Sequence, residues 1–313
     1  MTVFFAVDIG GTSTKTALVD DQGTVLDKRS FKTWRHIPLV DFSQGMAQAL
    51  SEGMDAIGLQ RRDIGGAGIG IAGFLDLNRG TVVEAINVGW DNVPFVELAQ
   101  DTLKMRVTID NDANVAALGE AWMGAGRGAR SVLCATVGTG IGSGIVIDGQ
   151  LYRGVNGMAG EIGHLVVQRE NGYLCNCGMH GCLETLASAT AMVRLAQQVQ
   201  QQGGIPPEIM IDGAKTVMDL AQHGNLAAQQ VVQEVAHWLG YGLSLVANTL
   251  NPDVIVIGGG VSSAGEAFLG PVRTAFLETA LKRVSEAVEI RLAVLGNDAG
   301  VVGAGRMAAQ RLG

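Results

Sequence analysis

The amino-acid sequence predicts an α/β fold with a mixed sheet and two related halves. The first observation is the alternation of strand patterns with helix patterns along the 313 residues, which is typical of this fold class. The second is a strand, a glycine-rich turn and another strand near the N-terminus, a pattern that returns in the middle of the chain. Such a repeat predicts a duplicated α/β domain with a cleft between the halves.

Each copy of the repeat is typical of a β-hairpin whose loop consists of glycine and hydroxyl residues. The first copy has predicted strands at Val3–Val7 and Thr16–Val19. The second has predicted strands at Val132–Val137 and Ser143–Ile147. Loops of this composition can turn several backbone N–H groups toward a phosphate. Chance similarity of two glycine-rich hairpins is the alternative interpretation of the repeat alone.

The segments around the hairpins supply helices and further strands. Apolar residues three or four positions apart predict helices over 39–57 and 226–250, the second ending before Pro252. Shorter patterns predict a helix from about Val115 to Trp122 and strands at Ala67–Ile71, Val107–Ile109 and Asp253–Ile257. We expect a small lobe of residues 1–118 with 301–313, and a large lobe of residues 119–300.

Composition excludes several classes of protein. Hydrophobic residues make up 47% of the chain and charged residues 17%, as in a well-packed soluble protein, and no apolar run approaches a membrane span. The net charge of −8 gives no basic surface overall for nucleic acid or an acidic membrane. The apolar start of the chain lacks a basic leader, so we expect a strand rather than a signal peptide, and a cytoplasmic location.

Three cysteines and one histidine form the most specific motif. His164, Cys175, Cys177 and Cys182 are a complete tetrahedral zinc set, and a closed set of four protein ligands is normally structural. We therefore predict a structural Zn²⁺ that fixes this loop. Three unmetallated thiols on a surface loop are the alternative, and His180 is a competing ligand that we expect to face solvent.

The two glycine-rich loops are candidate phosphate sites. In the first, Gly10, Gly11 and Thr12 offer backbone and hydroxyl donors, Lys15 offers a cation, and Asp8 is placed to orient a Mg²⁺-bound water. In the second, Gly138, Thr139 and Gly140 offer similar groups. Together the loops are predicted to hold the ends of a triphosphate, although an ordinary hairpin turn has a similar composition.

Gly259 and Gly260, after a predicted buried strand, are candidates to cover an adenine or ribose face. An ordinary strand-to-helix turn explains them equally well. The spacing is not that of a dinucleotide-binding fingerprint.

Asp112 is the candidate general base. It follows a predicted buried strand, and phosphoryl transfer to an alcohol needs a carboxylate that accepts the hydroxyl proton. Asn111 beside it can bond a second hydroxyl. The alternative is a helix N-cap cluster, in which Asp110, Asp112 or Asn114 caps the following helix.

Glu161, His164 and Glu184 are candidates for recognising vicinal hydroxyls. Carboxylates accept hydrogen bonds from hydroxyls, and a histidine with one nitrogen on zinc presents the other as an oriented donor. These groups flank the predicted zinc loop, so metal and substrate affinity are expected to be coupled.

Taken together, these motifs resemble the ROK family of sugar kinases and regulators, within the actin–hexokinase–Hsp70 superfamily. The resemblance covers essentially the whole chain and implies two ribonuclease H-like domains. It implies Asp112 as catalytic base, zinc on the Cys₃His set, and ATP with Mg²⁺ at the glycine loops and at Gly259 and Gly260. Implied sugar contacts are Asn87, Asn111, Glu161, His164 and Glu184, and a homodimer is the family expectation.

Within the family, Glu184–Thr190 is most similar to bacterial ATP-dependent glucokinases, which implies phosphorylation of glucose at its C6 hydroxyl. The sequence departs from the family pattern at Gly70–Phe74, where alanine and phenylalanine replace two prolines beside the sugar. A kinase for another hexose or N-acylhexosamine (mannose, fructose, allose or N-acetylmannosamine) is therefore the main alternative. A sugar-sensing regulator is less favoured because only seven residues precede Asp8. A zinc-centred redox sensor leaves the phosphate loops unexplained.

Overall fold

The computed structural model describes all 313 residues and contains strands and helices in alternation. The strands are β1 Val3–Ile9, β2 Ser13–Asp20, β3 Val25–Lys32, β4 Ile64–Ile71, β5 Phe74–Asp76, β6 Thr81–Ala85, β7 Trp90–Val93, β8 Val107–Asn111, β9 Ser131–Val137, β10 Ile141–Ile147, β11 Gln150–Tyr152, β12 Val254–Gly258 and β13 Glu289–Leu292. The helices are α1 Leu39–Ile57, α2 Phe95–Leu103, α3 Asp112–Met123, α4 Glu184–Ala187, α5 Ala189–Gln201, α6 Ala214–Gln222, α7 Leu226–Leu250, α8 Glu266–Thr279, α9 Lys282–Ser285 and α10 Ala299–Leu312. No helix combines the length and the apolarity that a bilayer span requires.

Two five-stranded sheets share one topology. Their strand orders are β3-β2-β1-β4-β8 and β11-β10-β9-β12-β13. In the first sheet, β1 pairs antiparallel with β2 and parallel with β4. In the second, β12 pairs parallel with both β9 and β13, and β10 pairs antiparallel with β11. The equivalent orders confirm the predicted duplication and the mixed sheet.

The chain packs as two compact units. The first contains Met1–Ala129, Gly144–Ala159 and Val294–Gly313, and the second contains Arg130–Ser143 and Gly160–Ala293. The predicted lobe boundaries, at residues 118 and 300, stay a prediction.

Both long helices have the predicted bounds, and local chemistry explains where they end. Gly58 follows α1 with a φ of 69°, a left-handed conformation that favours glycine. Asn225 caps α7, its side chain accepting a hydrogen bond from the Ala228 N–H. Asn251 follows α7 in the left-handed region, and Pro252 prevents its continuation.

Helix α3 begins three residues earlier than predicted, because Asn111 is its N-cap. The Asn111 side chain accepts hydrogen bonds from the N–H groups of Ala113 and Asn114. The alternative interpretation, in which Asp110, Asp112 or Asn114 provides the cap, is therefore wrong. As a result, Asp112 lies in the first turn of α3.

The first unit also contains a small sheet that the sequence patterns did not indicate. Strands β5, β6 and β7 pair antiparallel in that order. Trp90 on β7 packs edge-on against Phe42 of α1, with ring centroids 4.9 Å apart. This packing fixes the turn between β6 and β7, and Asn87 lies in that turn.

Candidate functional site

The first glycine loop is held in place by its own backbone. The Gly10 N–H donates to the Ser13 carbonyl at 3.1 Å, and the Thr33 hydroxyl donates to the Gly10 carbonyl at 2.6 Å. A Cβ atom on Gly10 would lie 2.8 Å from the Ser13 carbonyl oxygen, so the turn requires glycine here. A Cβ atom on Gly11 would lie 3.1 Å from the Asn87 Cβ, which places Asn87 beside this loop. Thr12 is exposed at its tip.

Asp8 and Asp112 form an electrostatically coupled pair in the first unit. Asp8 lies near the end of β1, and Asp112 lies at the start of α3. Burial is the main cause that raises the pKa of Asp8 to about 6, and the negative charge of Asp112 raises it further. Burial also raises the pKa of Asp112, against hydrogen bonds from the backbone N–H groups of Ala113 and Asp112 itself. Positive charge brought to this pair would stabilise both carboxylates.

Two neighbours fix the surroundings of Asp8. A Cβ atom on Gly300, in the first turn of α10, would lie 2.6 Å from the Asp8 carboxylate carbon, so the close approach requires glycine. Lys15 opposes the rise in the pKa of Asp8, and its Nζ lies 3.3 Å from the Asn297 carbonyl oxygen. Asp8, Lys15, Asn87 and Asp112, all candidates from the sequence, therefore lie in the same compact unit as the first loop.

Asp110 has a structural role that sequence reasoning missed. It is only 1% exposed, and its Oδ2 lies 2.5 Å from Arg153 Nε and 3.5 Å from an Arg311 guanidinium nitrogen. Its Oδ1 accepts a hydrogen bond from Asn114 Nδ2 at 2.9 Å. Asp110 and Asn114 therefore fix the end of β8 and the start of α3. No local signal predicts the two arginine partners, because they are distant in the sequence.

Asn111 is also largely committed to the local structure. Its side-chain oxygen caps α3, and its Nδ2 lies 3.3 Å from the Gly73 carbonyl oxygen. The side chains of Asp110, Asn111 and Asn114 thus hold this turn, whereas the Asp112 carboxylate is not required for it.

The second glycine loop is tied to the N-terminus of α5. The Gly138 N–H donates to the Gly140 carbonyl at 2.9 Å within the loop. The Ala189 N–H donates to the Gly138 carbonyl at 2.9 Å, and the Thr190 hydroxyl donates to the Thr139 carbonyl at 2.7 Å. Thr139 itself is exposed. Hydrogen bonds from the first two residues of α5 therefore fix the shape of the loop.

The predicted zinc ligands lie together in the second unit. One ligand atom from each of His164, Cys175, Cys177 and Cys182 lies within 4.8 Å of the others. The His164 Nδ1 is 3.5 Å from Cys175 Sγ, and the Sγ atoms of Cys177 and Cys182 are 3.6 Å apart. A tetrahedral zinc ion with bonds of about 2.0–2.3 Å separates its ligand atoms by about 3.3–3.8 Å. The donor set and its spacing fit a structural zinc ion.

The competing histidine faces solvent, as predicted, and the remaining cysteine lies in the core. His180 is exposed, and its Nδ1 contacts the Gly172 carbonyl oxygen at 3.0 Å. Cys134 is 1% exposed within β9. Neither belongs to the Cys₃His cluster.

The candidate hydroxyl-binding residues of the second unit border this cluster. His164 is half-buried, and its Nδ1 faces Cys175, which leaves Nε2 as the other ring donor or acceptor. Glu161 is exposed just before the turn that carries His164. Glu184 starts α4, and its Oε2 accepts a hydrogen bond from the Ile141 N–H at 3.0 Å. Chemically, this set can accept and donate several hydrogen bonds to a polyhydroxylated ligand.

Of the two glycines after β12, Gly259 has no room for a side chain, whereas Gly260 is open. Gly259 has a φ of 85°, and a Cβ atom on it would lie 2.3 Å from the Val137 carbonyl oxygen. Gly260 starts a short 3₁₀ turn and would meet no atom within 4 Å. The open surface over Gly260 suits a flat ligand group, although the strand-to-turn geometry alone also explains Gly259.

Known proteins share both sequence and fold with the chain. The sequence profile of the ROK family matches residues 4–311. The chain is 41% identical to a glucokinase of Halalkalibacterium halodurans over 98% of its own length and 95% of that protein. It is 31% identical to the ROK hexokinase of Thermus thermophilus, with a TM-score of 0.83 and 99% and 98% of the two chains covered. It is 34% identical to a ROK glucokinase of Streptomyces griseus solved with glucose and AMPPNP, with a TM-score of 0.78 and 98% and 99% covered. The chain belongs to the ROK family.

Proposed function

We propose that this protein is a hexokinase-type kinase that uses ATP to phosphorylate glucose at its C6 hydroxyl. Identity of 34–41% to several bacterial glucokinases over nearly the full chain supports this function. The relative that binds glucose and AMPPNP supports ATP as the phosphoryl donor. The structural observation that carries the proposal is Asp112, a carboxylate with a raised pKa at the start of α3 that no cap or ion pair requires.

Asp112 acts as the general base. It accepts the proton of the C6 hydroxyl as the C6 oxygen forms a bond to the γ-phosphorus of ATP. The bond between that phosphorus and the β–γ bridging oxygen breaks, and ADP leaves. A base is most effective when its pKa is not far below the working pH, so the raised pKa of Asp112 suits this role.

In the first unit, Gly10, Gly11, Thr12 and Lys15 bind phosphate oxygens through N–H, hydroxyl and ammonium donors. A Mg²⁺ ion carried by the nucleotide supplies charge neutralisation on the phosphates. Asp8 would orient a water molecule bound to that ion, and the raised pKa of Asp8 indicates a site that gains stability when a cation approaches. In the second unit, Gly138, Thr139 and Gly140 bind phosphate, and Gly259 and Gly260 lie under the adenosine.

The sugar hydroxyls are bound by amide, imidazole and carboxylate groups. Asn87 and Asn111 supply such groups in the first unit, and Glu161, His164 and Glu184 supply them in the second. His164, Cys175, Cys177 and Cys182 would hold a structural zinc ion. Coordination would fix the orientation of the His164 ring, and the closed ligand set would leave the metal no direct role in the reaction.

A coupled assay of ADP release across a panel of hexoses tests the function. We expect glucose to give the highest kcat/KM, and Asp112→Asn to lower kcat by about 10²–10⁴-fold with sugar affinity nearly unchanged. The matched control is Asp101→Asn, which changes an exposed carboxylate on α2 and should leave kcat unchanged. Near-normal turnover in Asp112→Asn contradicts the base assignment, and turnover without any hexose acceptor contradicts the function.

The same panel tests the main alternative, a kinase for another hexose or an N-acylhexosamine. The departure from the family pattern at Gly70–Phe74 is the reason to test these other sugars. Phe74, which replaces a proline of that pattern, starts β5 and is 46% exposed, so its side chain is available to a ligand. A higher kcat/KM for mannose, fructose, allose or N-acetylmannosamine than for glucose would reassign the substrate. The homodimer and the cytoplasmic location stay predictions; light scattering of the purified protein checks the first.

A further inference from the structure

Glu184 contacts a loop that is distant in the sequence. Its Oε2 accepts a hydrogen bond from the Ile141 N–H at 3.0 Å. A Cβ atom on Gly140 would lie 2.0 Å from the same oxygen, so the carboxylate occupies the space that a side chain at position 140 would need. The Glu184 carboxylate is therefore packed directly under the end of the second glycine loop.

The two residues that start α5 complete this support. Ala189 and Thr190 donate hydrogen bonds to the carbonyl groups of Gly138 and Thr139. Together with Glu184, they hold the loop at Gly138, Thr139 and Ile141. All three contacts come from one short segment, residues 184–190.

That segment is continuous with the zinc cluster. Cys182, one of the four ligands, lies two residues before Glu184, and its carbonyl accepts hydrogen bonds from both the N–H and the hydroxyl of Thr185. The Glu184 Oε1 lies 3.7 Å from Cys175 Sγ, so the carboxylate lies between the ligand cluster and the loop. Leu183 is fully buried, which leaves the segment little freedom to move separately.

We propose that Glu184 is a positioning residue for the Gly138–Ile141 loop, through which zinc occupancy sets the affinity for nucleotide phosphates. This goes beyond its assignment as a sugar contact and rests on the proposed function, in which the loop binds phosphate. A fixed N–H array binds an anion more tightly than a mobile one, because less ordering is needed on binding. Loss of zinc, or of the side-chain oxygen at position 184 that accepts the Ile141 N–H, should therefore weaken nucleotide binding even when no sugar is present.

Two substitutions separate the loop contact from the negative charge. In Glu184→Gln, the amide oxygen can still accept the Ile141 N–H, whereas Glu184→Ala leaves that donor without its partner. We expect calorimetric titration of AMPPNP without sugar to give near wild-type affinity for Glu184→Gln. For Glu184→Ala, we expect an affinity loss on the order of tenfold, as for a donor that is left without its partner.

Hydrogen exchange of the Ile141 amide gives a readout that does not depend on activity. Exchange should be faster in Glu184→Ala and in zinc-depleted wild-type protein than in zinc-loaded wild-type protein, and Glu184→Gln should stay protected. Glu170→Ala, which changes an exposed carboxylate between His164 and Cys175 in the sequence, is the control and should alter neither exchange nor AMPPNP affinity. Near-UV circular dichroism verifies that each protein is folded.

The outcomes distinguish this proposal from the function on which it rests. Wild-type protein that fails to bind AMPPNP contradicts the proposed kinase function. Wild-type binding that is retained in Glu184→Ala, with Ile141 still protected, overturns the positioning role alone. Equal losses in Glu184→Gln and Glu184→Ala also overturn it, because charge rather than the loop contact would then be responsible. Zinc depletion that leaves AMPPNP affinity unchanged overturns the coupling to the metal.

Discussion

At the scale of single residues, the pair of Asp8 and Asp112 is the most consequential feature. Burial makes both carboxylates costly to ionise in the folded protein, and the negative charge of Asp112 adds to this cost for Asp8. The same property that disfavours their ionisation attracts a cation and suits Asp112 to accept a proton. We therefore expect the ionised form of Asp8 to lower the free energy of unfolding of the protein when no ligand is bound.

This cost can be measured through its pH dependence. The pKa of Asp8 is about 6 in the folded protein and near 3.8 when unfolded, so the folded state binds more protons between these values. Stability is consequently highest below the unfolded pKa and decreases as the pH rises through the folded pKa. We expect Asp8→Asn to raise the free energy of unfolding at pH 7.5 by about 1–3 kcal/mol, and to change it little at pH 3.5. Urea unfolding without metal or nucleotide checks this.

The control for Asp8→Asn is Asp101→Asn, which removes an exposed carboxylate and should not change the pH dependence. A gain of equal size at both pH values would contradict the assignment, because it would come from packing rather than from ionisation. A loss of stability at pH 7.5 would contradict it directly.

At the scale of elements, a feature could be predicted from the sequence when the residues that determine it are close together in the chain. The clustering of His164, Cys175, Cys177 and Cys182 could be predicted, because three of the four lie within a few residues of one another and thiols with imidazole form a specific donor set. The bounds of α1 and α7 followed from periodicity and from Pro252. The N-cap of α3 was predicted wrongly, because several neighbouring Asp and Asn residues are equally good caps by type and only the backbone geometry selects Asn111.

The zinc-binding element should also control sugar affinity. Cys177→Ser removes one of four ligands, so we expect a lower zinc content and a KM for glucose that rises several-fold, since the His164 ring loses its fixed orientation. Metal analysis and steady-state kinetics of the same preparations test this. Met179→Ser changes an exposed side chain of the same loop and should retain zinc and KM. Unchanged sugar affinity in zinc-free protein would contradict the coupling.

At the scale of the whole molecule, the duplication could be predicted from the sequence, but the β5–β7 sheet and the ion pairs of Asp110 could not. The two hairpins signalled the repeat, and the equal strand orders confirm it. The β5–β7 sheet lacked a signal, because its strands are short and their buried and exposed residues do not alternate regularly. The partners of Asp110 could not be predicted either, since Arg153 and Arg311 meet it only once distant segments have packed. The roles of the candidate nucleotide and sugar contacts stay predictions.

The Asp110 ion pairs should support the stability of the first unit as a whole. Asp110→Asn leaves the partly buried guanidinium groups of Arg153 and Arg311 without their carboxylate. Removing one partner of a buried pair typically costs about 3–5 kcal/mol, so we expect a loss of roughly this size in urea unfolding. Exchanging the exposed Asp101 for Asn is again the control. A loss below about 0.5 kcal/mol, as for a surface pair, would contradict the structural role.

The discontinuity of the first unit has a consequence for biosynthesis. Its sheet begins with β1, but α10, which packs against α3 and carries Arg311, follows at the other end of the chain. During translation, residues 1–129 therefore leave the ribosome long before the helix that covers them, whereas nearly all of the second unit emerges as one uninterrupted stretch. We therefore expect the segment from His164 to Cys182 to fold before Asp112 reaches its native environment, which is complete only once α10 has emerged.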